Sequence, residues 1–221
     1  MFLHYVLDLW IDAWRKRHAK GEVTVVRYAD DFVIGFREES DARLCLAALK
    51  ERLANFGLEL HPEKTRLIEF GRYAEERRAR RSEGPPETFD FLGFTHISGK
   101  TRRGDFTIHR KTARKKFQAK LKDLKVKLKR KLHAALPQVG SWLQSVLRGW
   151  YRYYAVPGNY QRLQQFRDAV QEMWLRALRR RSQRGRSFTW ERFAKVCKGW
   201  LPSPKIEHPY PEVRFAATHP R

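Results

Sequence analysis

Sulfur is scarce in this chain, and long apolar runs are absent. Its 221 residues include two cysteines and two methionines. Cys45 and Cys197 stand far apart, which excludes a disulfide framework and the paired spacing of a zinc site. Each falls in a helical pattern and reads as a small apolar core residue, and a reducing cytoplasm fits. No stretch approaches the roughly 20 apolar residues that cross a bilayer. The apolar amino terminus has no basic leader and carries Asp8 and Asp12, unlike a signal peptide. Acidic residues run short in one half only. Residues 1–100 hold 17 Lys+Arg and 17 Asp+Glu, whereas residues 101–221 hold 30 and 7, so the whole net charge of +23 lies in the second half. That asymmetry points to a polyanionic partner, most simply nucleic acid. An anionic membrane surface is the competing partner, but seven tryptophans, five of them spread through a helical bundle, do not suit a membrane-surface helix.

What the chain does have is concentrated in Val23 to Phe36, VTVVRYADDFVIGF. Two runs rich in Val, Ile, Thr, Tyr and Phe flank Asp30 and Asp31, a pattern that predicts a hairpin. Adjacent carboxylates at a hairpin tip repel unless a cation sits there, and hard oxygen ligands suit Mg²⁺. Asp is also common in ordinary turns, where its side chain bonds nearby backbone.

The decapeptide RYADDFVIGF resembles the YADD motif of reverse transcriptases, in the form used by group II intron-encoded proteins. Beyond it SDARLCLAALKERLANFGLEL, HPEKTRLIEFG and FDFLGF follow in the order of that family's palm. GWYRYYAVPGNYQRL is similar to the thumb, or maturase domain X. The resemblance covers nearly the whole chain. In the family an aspartate on an earlier palm strand completes the metal site. Only Asp8 and Asp12 precede the hairpin here, both in a helical segment, so the chain reads as the carboxy-terminal part of such an enzyme and is expected to be inactive alone.

Organisation follows from periodicity. Phe2 to Arg17 reads as a helix with a stripe of Phe2, Val6, Leu9, Trp10 and Ala13, ended by Gly21. Ser40 or Asp41 is placed to cap a second helix, whose stripe is Leu46, Leu49, Leu53 and Phe56 and which Gly57 closes. Thr65 to Phe70 alternates as a strand, Gly71 to Thr88 as a charged loop or short surface helix, and Phe89 to Phe94 as a strand. SGKTRRGD reads as a turn between two short strands. From Lys111, apolar residues at Phe117, Leu121, Leu124, Leu128 and Leu132 predict a helix that Pro137 and Gly140 break. Leu143, Val146, Leu147, Trp150 and Tyr154 mark a second bundle helix. Asn159 is placed to cap a third through Leu163, Phe166, Val170, Trp174 and Leu178. Ser187 or Thr189 is placed to start a fourth. The fold class expected is α+β: a partial polymerase palm over residues 1–109, an all-α thumb bundle over 110–200, and an extended tail over 201–221.

The resemblance implies that Asp30 binds catalytic Mg²⁺ with Asp31 as its neighbour, and that Tyr28 and Ala29 lie near the primer terminus. It places Lys64 near the leaving pyrophosphate, although a surface lysine is an equal reading; His61 reads as a turn residue. Phe91, Leu92 and Gly93 correspond to the primer grip, and Leu92 serves a core strand at the same time. Lys115, Lys116, Lys120, Lys122, Lys127 and Arg130 coat the first bundle helix with one acid, Asp123, among them. Without compensating pairs that helix repels itself unless an anion binds. Tyr151, flanked by Arg148 and Arg152, is expected to be exposed and to contact RNA, and Arg179, Arg180 and Arg181 extend the basic surface. The partners implied are group II intron RNA and primer DNA, with a separate chain carrying the fingers and upstream palm. The whole protein would copy intron RNA and assist splicing and mobility of that element. The alternative is a non-catalytic RNA-binding maturase-like module, or a relic of one.

Overall fold

A computed structural model of the protein describes residues 2–181, 189–211 and 213. The chain is α+β and divides into two compact units, residues 1–87 and 88–221.

The first unit begins with a π-helical turn, His4–Asp8, that runs directly into α1, Leu9–His18. The wide turn rotates the helix relative to a plain 3.6-residue period. Val6, Leu7, Ile11 and Trp14 are therefore buried, while Phe2 and Leu9 of the expected stripe are about half exposed. β1, Val23–Tyr28, and β2, Asp31–Phe36, form the expected hairpin, in register from Val23 opposite Phe36 to Tyr28 opposite Asp31. Because cross-strand partners share a face, Val25, Ile34, Phe32 and Phe36 turn inward against α1 and α2, Glu39–Ala54. Thr24, Val26, Tyr28 and Asp31 share the outer face.

Helix α2 has Glu38 at its amino-terminal cap. Asp41 does not cap it: only 2% exposed, its carboxylate accepts the backbone N–H groups of Lys20 and Gly21 at 2.8 and 3.0 Å. That contact fixes the α1–β1 connection. Gly57 follows the helix with φ +67, as a carboxy-terminal glycine should. Thr65 to Phe70 is not a strand. Among the described residues the hairpin has no third strand. The segment is held instead by ion pairs, Arg66 with Glu87 and Glu69 with Arg77 and Arg81. α3, Ala74–Arg80, is the short surface helix.

The second unit opens with a three-stranded antiparallel sheet: β3, Phe89–Phe91, β4, Phe94–Lys100, and β5, Phe106–Thr112. Among the described residues four helices follow: α4, Arg114–Arg130, α5, Leu136–Tyr154, α6, Tyr160–Arg181, and α7, Trp190–Trp200. Their core contains Leu124, Leu143, Leu147, Leu163, Phe166, Trp174 and Phe193, the stripes that periodicity marks. The sheet packs with the helices because Phe94 lies against Tyr153 and Tyr154 of α5. A second tie is Asn159, fully buried, which accepts Thr112 N–H at 2.9 Å and donates to Thr112 Oγ1 and the Tyr154 carbonyl, each at 2.8 Å. The side chain expected to cap α6 is thus spent on the sheet, and its backbone carbonyl receives the first helical N–H groups.

Pro137 and Gly140 do not break the helical pattern. Pro137 stands in the first turn of α5, where its missing N–H costs nothing. Gly140 lies inside the helix beneath the Trp200 ring. Thr189 caps α7 by accepting Arg192 N–H, while Ser187 lies outside the described residues. From Pro202 to Tyr210 the tail forms neither helix nor strand and is pinned, since Glu207 and His208 N–H donate to the Ala155 carbonyl, whereas Pro211 and Val213 are helical.

Candidate nucleic-acid interface and acidic turn

The hairpin tip is a two-residue connection, Ala29 and Asp30, between paired Tyr28 and Asp31. Ala29 has φ +55, a left-handed backbone that costs an alanine about 1 kcal/mol or more. Arg27, beside the turn, holds it there. Its Nη1 donates to the Ala29 carbonyl at 2.7 Å, while Nε and Nη2 clasp the two Asp8 oxygens at 2.6 and 2.5 Å. The Arg27 hydrogen bonds hold the Asp8 carboxyl below its usual range against the opposing effect of burial, and His4 adds to the lowering. Asp8 is thereby a brace for the turn. Arg27, with its charge answered by Asp8, does not neutralise the acidic tip.

Asp30 and Asp31 are both exposed, and Tyr28 is 66% exposed. Among the described residues neither carboxylate has an ion-pair or hydrogen-bond partner. Hard, unpaired, adjacent carboxylates suit a divalent cation. No group of three potential ligands converges among the described residues, so the turn offers two adjacent carboxylates and no third beside them. Lys64 is exposed in the turn after His61, whose carbonyl accepts the Lys64 N–H at 3.2 Å.

Phe91 ends β3 and pairs with Phe94, and Leu92 and Gly93 form the β3–β4 turn of the second unit. Leu92 and Gly93 both have positive φ, 49 and 76. The Leu92 carbonyl accepts the Tyr153 hydroxyl at 2.9 Å and the Gly93 carbonyl accepts Ala113 N–H at 2.9 Å. A Cβ on Gly93 would stand 2.9 Å from the Tyr154 hydroxyl. Glycine is needed there both for its backbone and for its lack of a side chain.

Lys115, Lys116, Lys122, Lys127 and Arg130 are exposed along α4, and Lys120 is half-buried. Asp123 is bound to Lys127 at 2.8 Å, so the helix's acid is already taken by one of its own lysines. Arg148, Arg152, Arg179 and Arg180 are exposed. Arg181 is anchored, donating to the Ala134 and His133 carbonyls at 3.0 and 3.3 Å. Tyr151 departs from expectation. It is only 3% exposed, packed in the bundle core with its hydroxyl donating to the Pro202 carbonyl, and burial pushes its pKa up. A ring so enclosed cannot stack on a base. The helix face turns so that Tyr153, 52% exposed, is the outward ring.

The turn, its brace and the FLG turn all fall within one matched stretch. Residues 1–96 match the family described as Reverse transcriptase (RNA-dependent DNA polymerase). The reverse transcriptase match thus runs through the hairpin and β3 into the first residues of β4. No curated protein matches the chain. Reverse transcriptases bind template and primer and generally use divalent metal ions, which agrees with the bare acidic tip. Arg27 went unmarked in the sequence, where Asp8 reads only as a helical carboxylate and Asn159 only as a helix cap. The signal for Arg27 was its position two residues before Ala29, on the inner face of a strand, where a cation needs a partner. No helix among the described residues is long and apolar enough to cross a membrane.

Proposed function

We propose that the protein is a group II intron type reverse transcriptase/maturase portion, whose helical unit binds RNA while the braced Tyr28–Asp31 turn is the polymerase metal site. The observation that carries it is α4: eight exposed or half-exposed lysines and arginines, Lys115 to Arg130, with one acid that is already paired. In water such a helix repels itself, and phosphates relieve it by releasing condensed counterions.

On this reading Asp30 and Asp31 hold a magnesium ion, which when bound stabilises charge on the phosphate oxygens during attack by a primer 3′-hydroxyl. The chain's own part is positional. Arg27 fixes the Ala29 carbonyl and so the direction of the tip, and the outer face leaves Tyr28 and Ala29 open to a primer terminus. The FLG turn, seated on Tyr153 and Tyr154, presents a rigid backbone for a primer strand. Lys64 stands ready for pyrophosphate. The natural partners are intron RNA and primer DNA, with a further ligand to the metal from a separate polypeptide. Asp8 is not that ligand because Arg27 holds both its oxygens. Two buried free thiols, each pushed up to about 11 by burial, fit a reducing cytoplasm.

The test is RNA binding by the full chain and by a variant with Lys115, Lys116, Lys120 and Lys122 changed to Gln. The variant should bind every RNA more weakly and with a flatter salt dependence. Unchanged affinity and slope would reduce α4 to a solvated surface. A non-catalytic RNA-binding module is the second reading, favoured by the lack of a third carboxylate beside the turn among the described residues. Primer extension with Mg²⁺ separates the two: incorporation abolished by Asp30→Ala marks the polymerase.

A further inference from the structure

The β4–β5 hairpin carries charge that the bundle helices do not explain. Between Phe94 and Thr112 stand Lys100, Arg102, Arg103, Arg110 and Lys111 against one acid, Asp105. Arg102, Arg103 and Lys111 are exposed, and none has an ion-pair partner among the described residues. Burial, and then the Arg110 charge, hold the neighbouring His96 below its usual pKa, with Asp90 acting in the opposite direction.

The ribbon is rigid at both ends. At its root Phe94 stacks on Tyr153 with centroids 5.9 Å apart, and Asn159 grips both the N–H and the hydroxyl of Thr112. At its tip Thr101 Oγ1 accepts the N–H groups of Arg103 and Asp105, each at 3.2 Å, and Thr101 N–H donates to the Asp105 carbonyl at 2.7 Å. Seven cross-strand pairs join the two ends. A stiff scaffold loses little freedom when its cations are engaged.

We propose that this hairpin is a second phosphate-binding element, engaging the backbone of a nucleic-acid duplex alongside α4. The inference rests on the nucleic-acid reading above and adds the form of the ligand. Single strands are gripped by exposed rings on which bases stack. The exposed large apolar side chain on this ribbon is Ile108, at 43%, while Phe94 and Phe106 are half-buried. What remains outward is charge. At about 3.3 Å per residue, Lys111 stands about 20–25 Å from the tip arginines, a spacing suited to phosphates held apart by a stiff helix. Two residues beyond the hairpin α4 begins, with Arg114, Lys115 and Lys116, so the two cationic elements share one joint.

The experiment compares the full-length protein with the triple variant Arg102→Gln, Arg103→Gln, Lys111→Gln. The probes are an RNA duplex of about two helical turns and a single strand of the same length, titrated across a salt series. Duplex affinity should fall on the order of tenfold at about 100 mM salt, with a log–log slope shallower by about 2, while single-strand affinity changes less than threefold. A variant with lysine at positions 102 and 103, made by Arg102→Lys and Arg103→Lys, should bind duplex as the parent does. That guards against a folding artefact. Wild-type duplex affinity and slope in the triple variant, while the α4 glutamine variant is weakened, would overturn the hairpin's role and leave the parent reading standing. Equal losses on both probes would overturn the duplex assignment. Failure of the parent protein to bind either probe would defeat the nucleic-acid reading and this proposal with it.

Discussion

Two glycines on α5 should respond in opposite directions to the same substitution. Gly140 and Gly149 both sit inside the helix, where alanine is ordinarily favoured by about 0.5–1 kcal/mol. A Cβ on Gly149 would meet nothing within 4 Å, so Gly149→Ala should collect that gain. A Cβ on Gly140 would lie 2.6 Å from Trp200 Cγ and Cδ2. Those atoms are at the root of the indole, so the ring cannot move aside without shifting α7. Overpacking of this kind costs about 1–3 kcal/mol, which outweighs or cancels the helical gain. The two variants should therefore differ by about 1–3 kcal/mol, several degrees in melting temperature for a unit of this size. Chemical denaturation followed by tryptophan fluorescence reads both the difference and the Trp200 environment. If Gly140→Ala stabilised the protein as much as Gly149→Ala, Trp200 would not lie on Gly140 and the α5–α7 packing described here would be wrong.

Ala29→Gly should stabilise the hairpin by about 1 kcal/mol, since glycine accepts the left-handed φ; thermal melts measure it, and a loss of stability would refute a strained tip. Asn159→Ala should cost about 2–4 kcal/mol, because it leaves the buried Thr112 N–H unpaired and opens a small cavity; urea titration checks this. The pKa of His96 is held below its ordinary value of 6.5, chiefly by burial. Its contribution to stability is therefore full above about pH 6.5 and is lost as pH falls toward the folded pKa, by at most about 1.4 kcal/mol per pH unit. His96→Phe should flatten that fall, read by melts between pH 7 and 5.

Much of the architecture was legible because it rests on periodicity. The hairpin around Asp30, the stripes from Leu143 to Leu178 and the capping of α7 by Thr189 all follow from local rules. Three misreadings share a cause in tertiary competition. Thr65 to Phe70 has the alternation of a strand, but a strand requires a neighbour, and Arg66 and Glu69 find ion pairs instead. Asp41 and Asn159 have the chemistry of caps, yet backbone donors at Gly21 and Thr112 claim their side chains. Tyr151 shows how closely spaced aromatics mislead: with Trp150, Tyr151, Tyr153 and Tyr154 on one turn, which ring faces out depends on the tail, whose Pro202 carbonyl takes the Tyr151 hydroxyl. The acidic turn was plain from sequence, but its brace was not. Asp8 and Arg27 lie 19 residues apart, and nothing local ties them together.

The most direct measurement is the salt dependence of binding between the full-length protein and a structured RNA. The account predicts tight binding at low salt and a log–log slope of about −0.7 to −0.9 per phosphate contacted, amounting to several contacts and reduced by removing the α4 lysines. A slope near zero, or one indifferent to those lysines, would contradict it.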